Sequence, residues 1–232
     1  MQIPPDVKHP HSLRSLGMTL IGEDMNVYEA IASRKTIRDL ERKTIPMEIV
    51  RKLIDAGLKA PSHDHLRDWH FVVVQDESKR RELLEQTITR RSREEAEEIV
   101  DAWGMTDEVQ REMYIDGIPK QFSMLFEAGC LILPCFRQET PLLEPESLSS
   151  LNAFASIWCC IENILIAAAS EGLFGVTRIP ADAEEETIRR ILEVPLGYQI
   201  PCYLALGYPK REARRARQKT VRVDERIHTN VW

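Results

Sequence analysis

The chain lacks the short signatures by which many enzymes are recognised. No GxGxxG, no GxxxxGK[ST] and no GxSxG occurs in its 232 residues, so the marks of a Rossmann dinucleotide site, a P-loop phosphoryl transferase and an α/β-hydrolase are all missing. Its five cysteines, Cys130, Cys135, Cys159, Cys160 and Cys202, form an odd set without CxxC spacing inside apolar sequence. They read as reduced core thiols, not as a disulfide frame or a zinc site. No apolar run reaches the roughly 18 residues of a membrane span, and the opening MQIPPDVKHPHSLRSLG is too polar for a signal peptide. The expectation is a cytoplasmic protein. A net charge of −6 disfavours nucleic acid or an anionic membrane as partner, so a basic cluster here reads as local anion recognition.

What is present is ordinary globular material: 43% hydrophobic and 29% charged residues, enough for one α/β or α+β domain. Residues 1–24 carry three prolines and no sustained periodicity, which predicts an N-terminal arm ahead of a single domain over 25–232. Asn26 caps a helix through NVYEAIASRK, and PMEIVRKLIDAGLKA repeats the helical spacing. The β-branched or apolar runs HFVVVQ, GCLILPCFR, LFGVT and PCYLALGY predict strands. Between the first two, SKRRELLEQTITRRSREEAEEIV reads as a solvent-facing helix, opening an excursion or lid over about 78–120. AFASIWCCIENILIAAASEGLFG is apolar on nearly every side, so it needs cover from a thick core or from a partner subunit. Asp182, with Glu185 three residues on, predicts the N-cap of a last helix.

Two stretches could carry chemistry. SRKTIR, residues 33–38, sets three cations and two hydroxyls at a helix end. Arg34 and Arg38 are four apart, and guanidinium groups flanking a threonine suit a phosphate; cations that merely complement the helix dipole are the alternative. His63, Asp64 and His65 crowd a loop ahead of a strand, but i, i+2 spacing without a distant partner is weak metal-site evidence, and no metal is expected.

Taken in order, VYEAIASRKTIRDL, the helix running into APS, the loop-strand HLRDWHFVVV, ENILIAAASEGLFGVTR and VPLGYQIPCYLALGYPK resemble the nitroreductase family of FMN-dependent oxidoreductases over about residues 26–232. The resemblance implies an α+β fold with a central mixed or antiparallel sheet flanked by helices, in an intertwined homodimer with FMN at the subunit interface. It implies hydride transfer from NADH or NADPH through flavin N5 to an electron-poor small molecule such as a nitroaromatic, quinone or activated alkene, with no catalytic side chain.

Carried onto these positions, the family's RRSIR falls on Arg34, Lys35, Thr36, Ile37 and Arg38, implying phosphate and ribityl contacts from Arg34, Thr36 and Arg38, with Lys35 turned more to solvent. Pro61 and Ser62 would lie against the flavin ring of the partner's site. His65 stands where the family has asparagine, Arg67 where it has glutamine and Asp68 where it has proline. Backbone N–H groups of Arg178 and Ile179 would face the ring, unless Arg178 instead bridges to one of Glu184, Glu185 and Glu186. A second phosphate contact falls in QKTVR, on Lys219 in preference to Arg222. The alternatives are a non-catalytic flavin-binding or flavin-sensing protein, and a specialised dehalogenase or flavin-destroying relative closed by the 103–120 segment.

Overall fold

The computed structural model describes residues 25–138 and 142–232; the expected N-terminal arm, residues 1–24, lies outside them. Helix α1 (Val27–Ser33) opens on a capping box, the Asn26 side chain accepting from the Tyr28 and Glu29 amides while Glu29 accepts from the Asn26 amide. The helix stops at Ser33, two residues short of the expected end, because Arg34 turns to φ −56, ψ 121 and the chain continues extended. Helix α2 (Met47–Leu58) leads into a single 3-10 turn at His63–His65, and then strand β1 (Trp69–Val73).

The expected long charged helix is two helices, α3 (Glu77–Thr87) and α4 (Arg93–Ala102). Ile88 turns to extended geometry and Ser92 starts a new capping box with Glu95, a break that the charge pattern alone does not display. Helices α5 (Glu108–Gly117) and α6 (Gln121–Phe126) follow, then β2 (Cys130–Arg137), α7 (Asn152–Ser170), β3 (Phe174–Arg178), α8 (Asp182–Leu192), β4 (Tyr198–Gln199) and β5 (Tyr203–Gly207). Asp182 is the first residue of α8 and not its cap: Ala181 takes that place without a side-chain bond. Asp182, Glu184 and Glu185 still put three carboxylates into the first turn, where the helix dipole favours them.

The sheet runs β1-β2-β5-β3, with β4 also on β2, and every strand pair is antiparallel. Strand β2 is buried on both faces. Leu131, Leu133 and Cys135 enter a core with Leu83, Leu84, Leu125 and Ile188, while Cys130, Ile132 and Phe136 enter a second core with Leu53, Ile157, Ile161 and Ile164. A strand covered on both sides shows a continuous apolar run instead of an alternation, which is how GCLILPCFR reads. Pro134 fits a central strand because β5 pairs only as far as Ile132 and β4 begins at Phe136, so its missing N–H falls where β2 passes from one neighbour to the other.

Helix α7 is not covered all round within the chain. Ile157, Cys160, Ile161, Ile164 and Ala168 are buried, whereas Ala155, Cys159 and Glu162 form an exposed stripe. The stretch Leu148–Ser170, of mean hydropathy 1.6, is long and apolar enough to cross a membrane by length and composition, contrary to the sequence expectation. Its buried side packs on α2 and the sheet. All five cysteines are free thiols, Cys159 alone exposed; burial pushes Cys130 and Cys160 up to about 12 and Cys135 to about 11, so these thiols stay protonated and unreactive.

Candidate functional site

From Arg34 the chain runs beside the free edge of β3. Thr36 makes a parallel bridge to Gly175, the Ile37 amide donates to the Gly175 carbonyl at 3.2 Å, and Leu40 bridges to Pro209. Gly175 has to be glycine: a Cβ there would meet the Ala205 carbonyl oxygen at 2.2 Å. Ile37, at 1% exposure, and Leu40 three residues on are buried in the core, whereas Arg34, Thr36 and Arg38 are each half-buried. The helical period of four that the sequence spacing suggests does not hold for them, because the helix ends at Ser33.

The two arginines have different surroundings. Arg34 Nε lies 3.0 Å from Glu162 of α7, which gives the polar Glu162 of that apolar helix a definite partner; its neighbour Asn163 donates to the Ala56 carbonyl at 3.4 Å. Arg38 is packed against Gly117 at the end of α5, where a Cβ would come within 3.0 Å of its Nε and 3.2 Å of Cζ. Burial pushes the Arg38 guanidinium down from its ordinary value, against the opposing fields of Asp116, Asp39 and Tyr114. Around it, Lys120 Nζ binds Asp39 at 2.8 Å and Asp116 at 2.9 Å, and Arg214 Nη1 reaches Asp116 at 3.4 Å. Lys35 is half-buried, not fully turned to solvent.

A second group of candidates sits beyond α2. Pro61 is exposed, and the Ser62 hydroxyl accepts from the Arg67 amide at 3.1 Å. The His63 amide donates to Ser156 Oγ of α7 at 3.0 Å. Three non-glycine residues, Asp64, His65 and Arg67, hold positive φ of 48°, 56° and 48°. Strain of this kind costs on the order of 1–3 kcal/mol per residue and persists where surrounding contacts impose it. The loop walls a cavity of about 290 Å³ whose floor includes Trp69 and Phe136. His63 Nε2 pairs with Asp64 at 3.2 Å, and among the described residues no three metal-ligating side chains cluster.

Beside this loop is a polar cluster that the sequence does not announce: the Tyr198 hydroxyl donates to Asp68 Oδ1 at 2.7 Å and lies 3.2 Å from His70 Nε2. Tyr198 is 130 residues from Asp68, and the β1–β2 and β2–β4 pairings together bring them close. The hydrogen bond to Asp68, then burial and the Asp68 charge, raise the phenol above its ordinary value, so it stays a donor.

Of the remaining expected residues, Arg178 commits its side chain elsewhere. It forks onto Glu184 at 2.5 and 2.6 Å and donates from Nε to Gln121 at 3.0 Å, realising the ion pair left open by the sequence. Its backbone pairs with Tyr203 at the end of β3, next to the exposed Ile179. Lys219 is ion-paired with Asp107, and Arg222 with Glu225 at 3.5 Å. The structure therefore gathers Arg34, Lys35, Thr36 and Arg38 on one edge segment, groups Pro61, Ser62 and His65 in the loop past α2, and places Lys219 and Arg222 on an arm that crosses α5. Gly117 and Asp116 lie beside the cationic segment from outside the matched motifs, and Glu162 does so as the first residue of ENILIAAASEGLFGVTR.

An antiparallel sheet wrapped by helices and edged by a cationic segment is an α+β architecture. The family model described as "Nitroreductase family" matches residues 31–208, and the chain belongs to that family. A Methanothermobacter thermautotrophicus protein with the provisional name NADH dehydrogenase/NAD(P)H nitroreductase is 29% identical over 216 residues, spanning 90% of this chain and 88% of its own. The iodotyrosine deiodinase of Nematostella vectensis is 25% identical over 188 residues, spanning 80% and 68%. The crystal structure of an oxidized iodotyrosine deiodinase bound to FMN and 3-iodo-L-tyrosine has the same fold, with a TM-score of 0.65 at 20% identity over 89% of this chain and 100% of that one.

Proposed function

We propose that the protein is an FMN-dependent NAD(P)H oxidoreductase, working as a homodimer of one nitroreductase-like domain, residues 25–232, per chain. The observation that carries this reading is the edge segment itself: two half-buried guanidinium groups and a hydroxyl within five residues, beside the edge of β3, are a donor set that fits a phosphate monoester. Arg34, Thr36 and Arg38 hold the phosphate and ribityl end, with Lys35 adding positive field. Pro61, Ser62 and His65 reach the ring of the partner's site, and the backbone N–H groups of Arg178 and Ile179 face it in their own. Lys219, or Arg222, reaches the phosphate once released from its acidic partner. When bound, FMN supplies the redox chemistry, taking hydride from NADH or NADPH and passing it to an electron-poor acceptor by a ping-pong sequence. Asp68, which accepts from the Tyr198 hydroxyl, keeps the wall of the loop cavity polar. The apolar face of α1, with Val27, Tyr28 and Ile31 exposed, and the exposed stripe of α7 support the dimer.

A visible spectrum of the purified protein tests the cofactor, and stopped-flow bleaching with each donor tests turnover. A colourless protein that takes up no added FMN overturns the reading; a flavin that stays oxidised with both donors makes the protein a flavin binder or sensor. A second reading, a reductive dehalogenase, is favoured by the iodotyrosine deiodinases among the relatives and by α5 closing on Arg38 through Gly117. Halide release from halophenols by the reduced protein distinguishes it.

A further inference from the structure

A second basic site lies at the far end of α6. We propose that the cavity between the end of β1, the start of α3 and the turn after α6 binds a tetrahedral oxyanion of the phosphate or sulfate class. The cavity measures about 330 Å³ and is walled by Arg42, Lys43, Thr44, Gln75 and Arg80. Arg80 is the decisive residue: it is 7% exposed, and its guanidinium bonds only neutral carbonyls. Nε and Nη2 donate to Val74 at 3.3 and 2.8 Å, and Nη1 donates to Phe126 at 3.1 Å and Ala128 at 2.6 Å. A buried cation whose direct hydrogen-bond partners are all neutral is costly; here burial pushes the guanidinium down, the Glu77 charge supports it, and Arg42, a second guanidinium, opposes it.

Neither carboxylate on the wall bonds Arg80 directly. Glu77 is divided between Arg42 at 3.0 Å and Arg81 at 3.2 Å, and Glu127 is held by Lys210 at 2.7 Å. The Lys43 ammonium has only the face of Tyr208, 4.1 Å from the ring centre. Three cationic side chains, a hydroxyl and an amide thus line one cavity against two carboxylates that are already shared with Arg81 and Lys210. An acceptor with several lone pairs in different directions matches such donors. The site is separate from the edge segment: Lys120 at the start of α6 serves Asp39 and Asp116, whereas the carbonyls at its other end serve Arg80.

The test is calorimetric titration of the FMN-saturated full chain with inorganic phosphate, sulfate and glycerol 3-phosphate, against chloride at matched ionic strength. Phosphate or sulfate is expected to bind the wild type and the remote control Lys52→Ala, and to bind Lys43→Ala about tenfold more weakly, as for the loss of one charge-assisted contact. Stronger binding of glycerol 3-phosphate assigns the ligand to a phosphate ester, and stronger binding of inorganic phosphate to the free ion. Equal affinity in Lys43→Ala and wild type, or heats no larger than with chloride, overturns the proposal. Should the chain take up no FMN, the same titration on Arg34→Ala keeps the two questions apart, because that change disarms the edge segment and leaves this cavity intact.

Discussion

Around β2 and β5, cohesion is apolar: Leu131, Ile132, Leu133, Leu204 and Leu206 are fully buried, and two cores grip the sheet from both faces. The region of α4, α5 and the C-terminal arm is built differently. The two helices share a small separate core of Ala96, Val100 and Ile118, and the arm is fastened to α5 by charge. Arg214 binds Glu112 and Asp116, Arg217 reaches Glu112 at 3.6 Å and Glu108 at 4.0 Å, and Lys219 binds Asp107. One region is indifferent to ionic strength and the other depends on it. The edge segment straddles them, since Arg34 is tied to α7 in the body and Arg38 is seated against Gly117 of α5.

The largest contrast comes from deletion in each region. Leu131→Ala should cost about 2–5 kcal/mol, the range for a leucine removed from a packed core, whereas Arg214→Ala should cost no more than about 1 kcal/mol because its ion pairs are exposed. Urea unfolding of both variants measures this, and similar midpoints would erase the distinction. Between these extremes stands the Arg178–Glu184 pair, whose side chains are only 12% and 11% exposed. Glu184→Gln leaves the guanidinium half-paired in a dry setting, and a loss of about 3 kcal/mol is expected.

The boundary between the regions should appear in flavin affinity. Arg34→Ala and Arg38→Ala are each expected to lose about 1.5–3 kcal/mol of FMN binding, the worth of a charge-assisted bond. Gly117→Ala should lose less but in the same direction, by pushing on the Arg38 guanidinium. Quenching of FMN fluorescence reads all three. An Arg38→Ala protein that binds FMN as tightly as wild type would assign Arg38 to holding α5 alone.

How much of this was readable beforehand follows the same divide. The body was legible: Asn26 announced a helix cap, the unbroken apolar runs of β2 and β5 announced buried strands, and the order of SRKTIR, APS and the later segments announced the family. The excursion was not, because its determinants are distant. Ser92 was hidden in a run of charges, the basic tail gave no sign of which acidic helix it meets, and Tyr198 acquires Asp68 only through strand pairing across 130 residues. Asp182 misled for another reason: a side chain able to cap sits one position inside the helix that Ala181 begins. At SRKTIR the expected helical geometry did not form, since the chain leaves the helix at Ser33 and continues extended from Arg34.

The smallest expected effect concerns pH. Burial alone would raise the Asp39 carboxyl, but the hydrogen bond and charge of Lys120, the Arg214 amide and the charge of Lys210 outweigh it and hold Asp39 below its ordinary value. The Lys219 bond likewise lowers Asp107. A carboxyl depressed by folding contributes stability that is present above its unfolded pKa, about 4, and is lost as pH falls through the folded value. The fastening of the arm should therefore be constant through neutral pH and weaken only in acid, as Asp39 and Asp107 take up protons. Amide exchange across α5 and residues 210–220, followed from pH 7 downward at fixed salt and corrected for intrinsic rates, should rise in that acid window while β2 and β5 stay protected. Asp39→Asn should already show the loosened exchange at neutral pH and respond less to acid. Equal loosening of arm and sheet would mean that the two regions unfold together, and that the ionic seam is not where the molecule first opens.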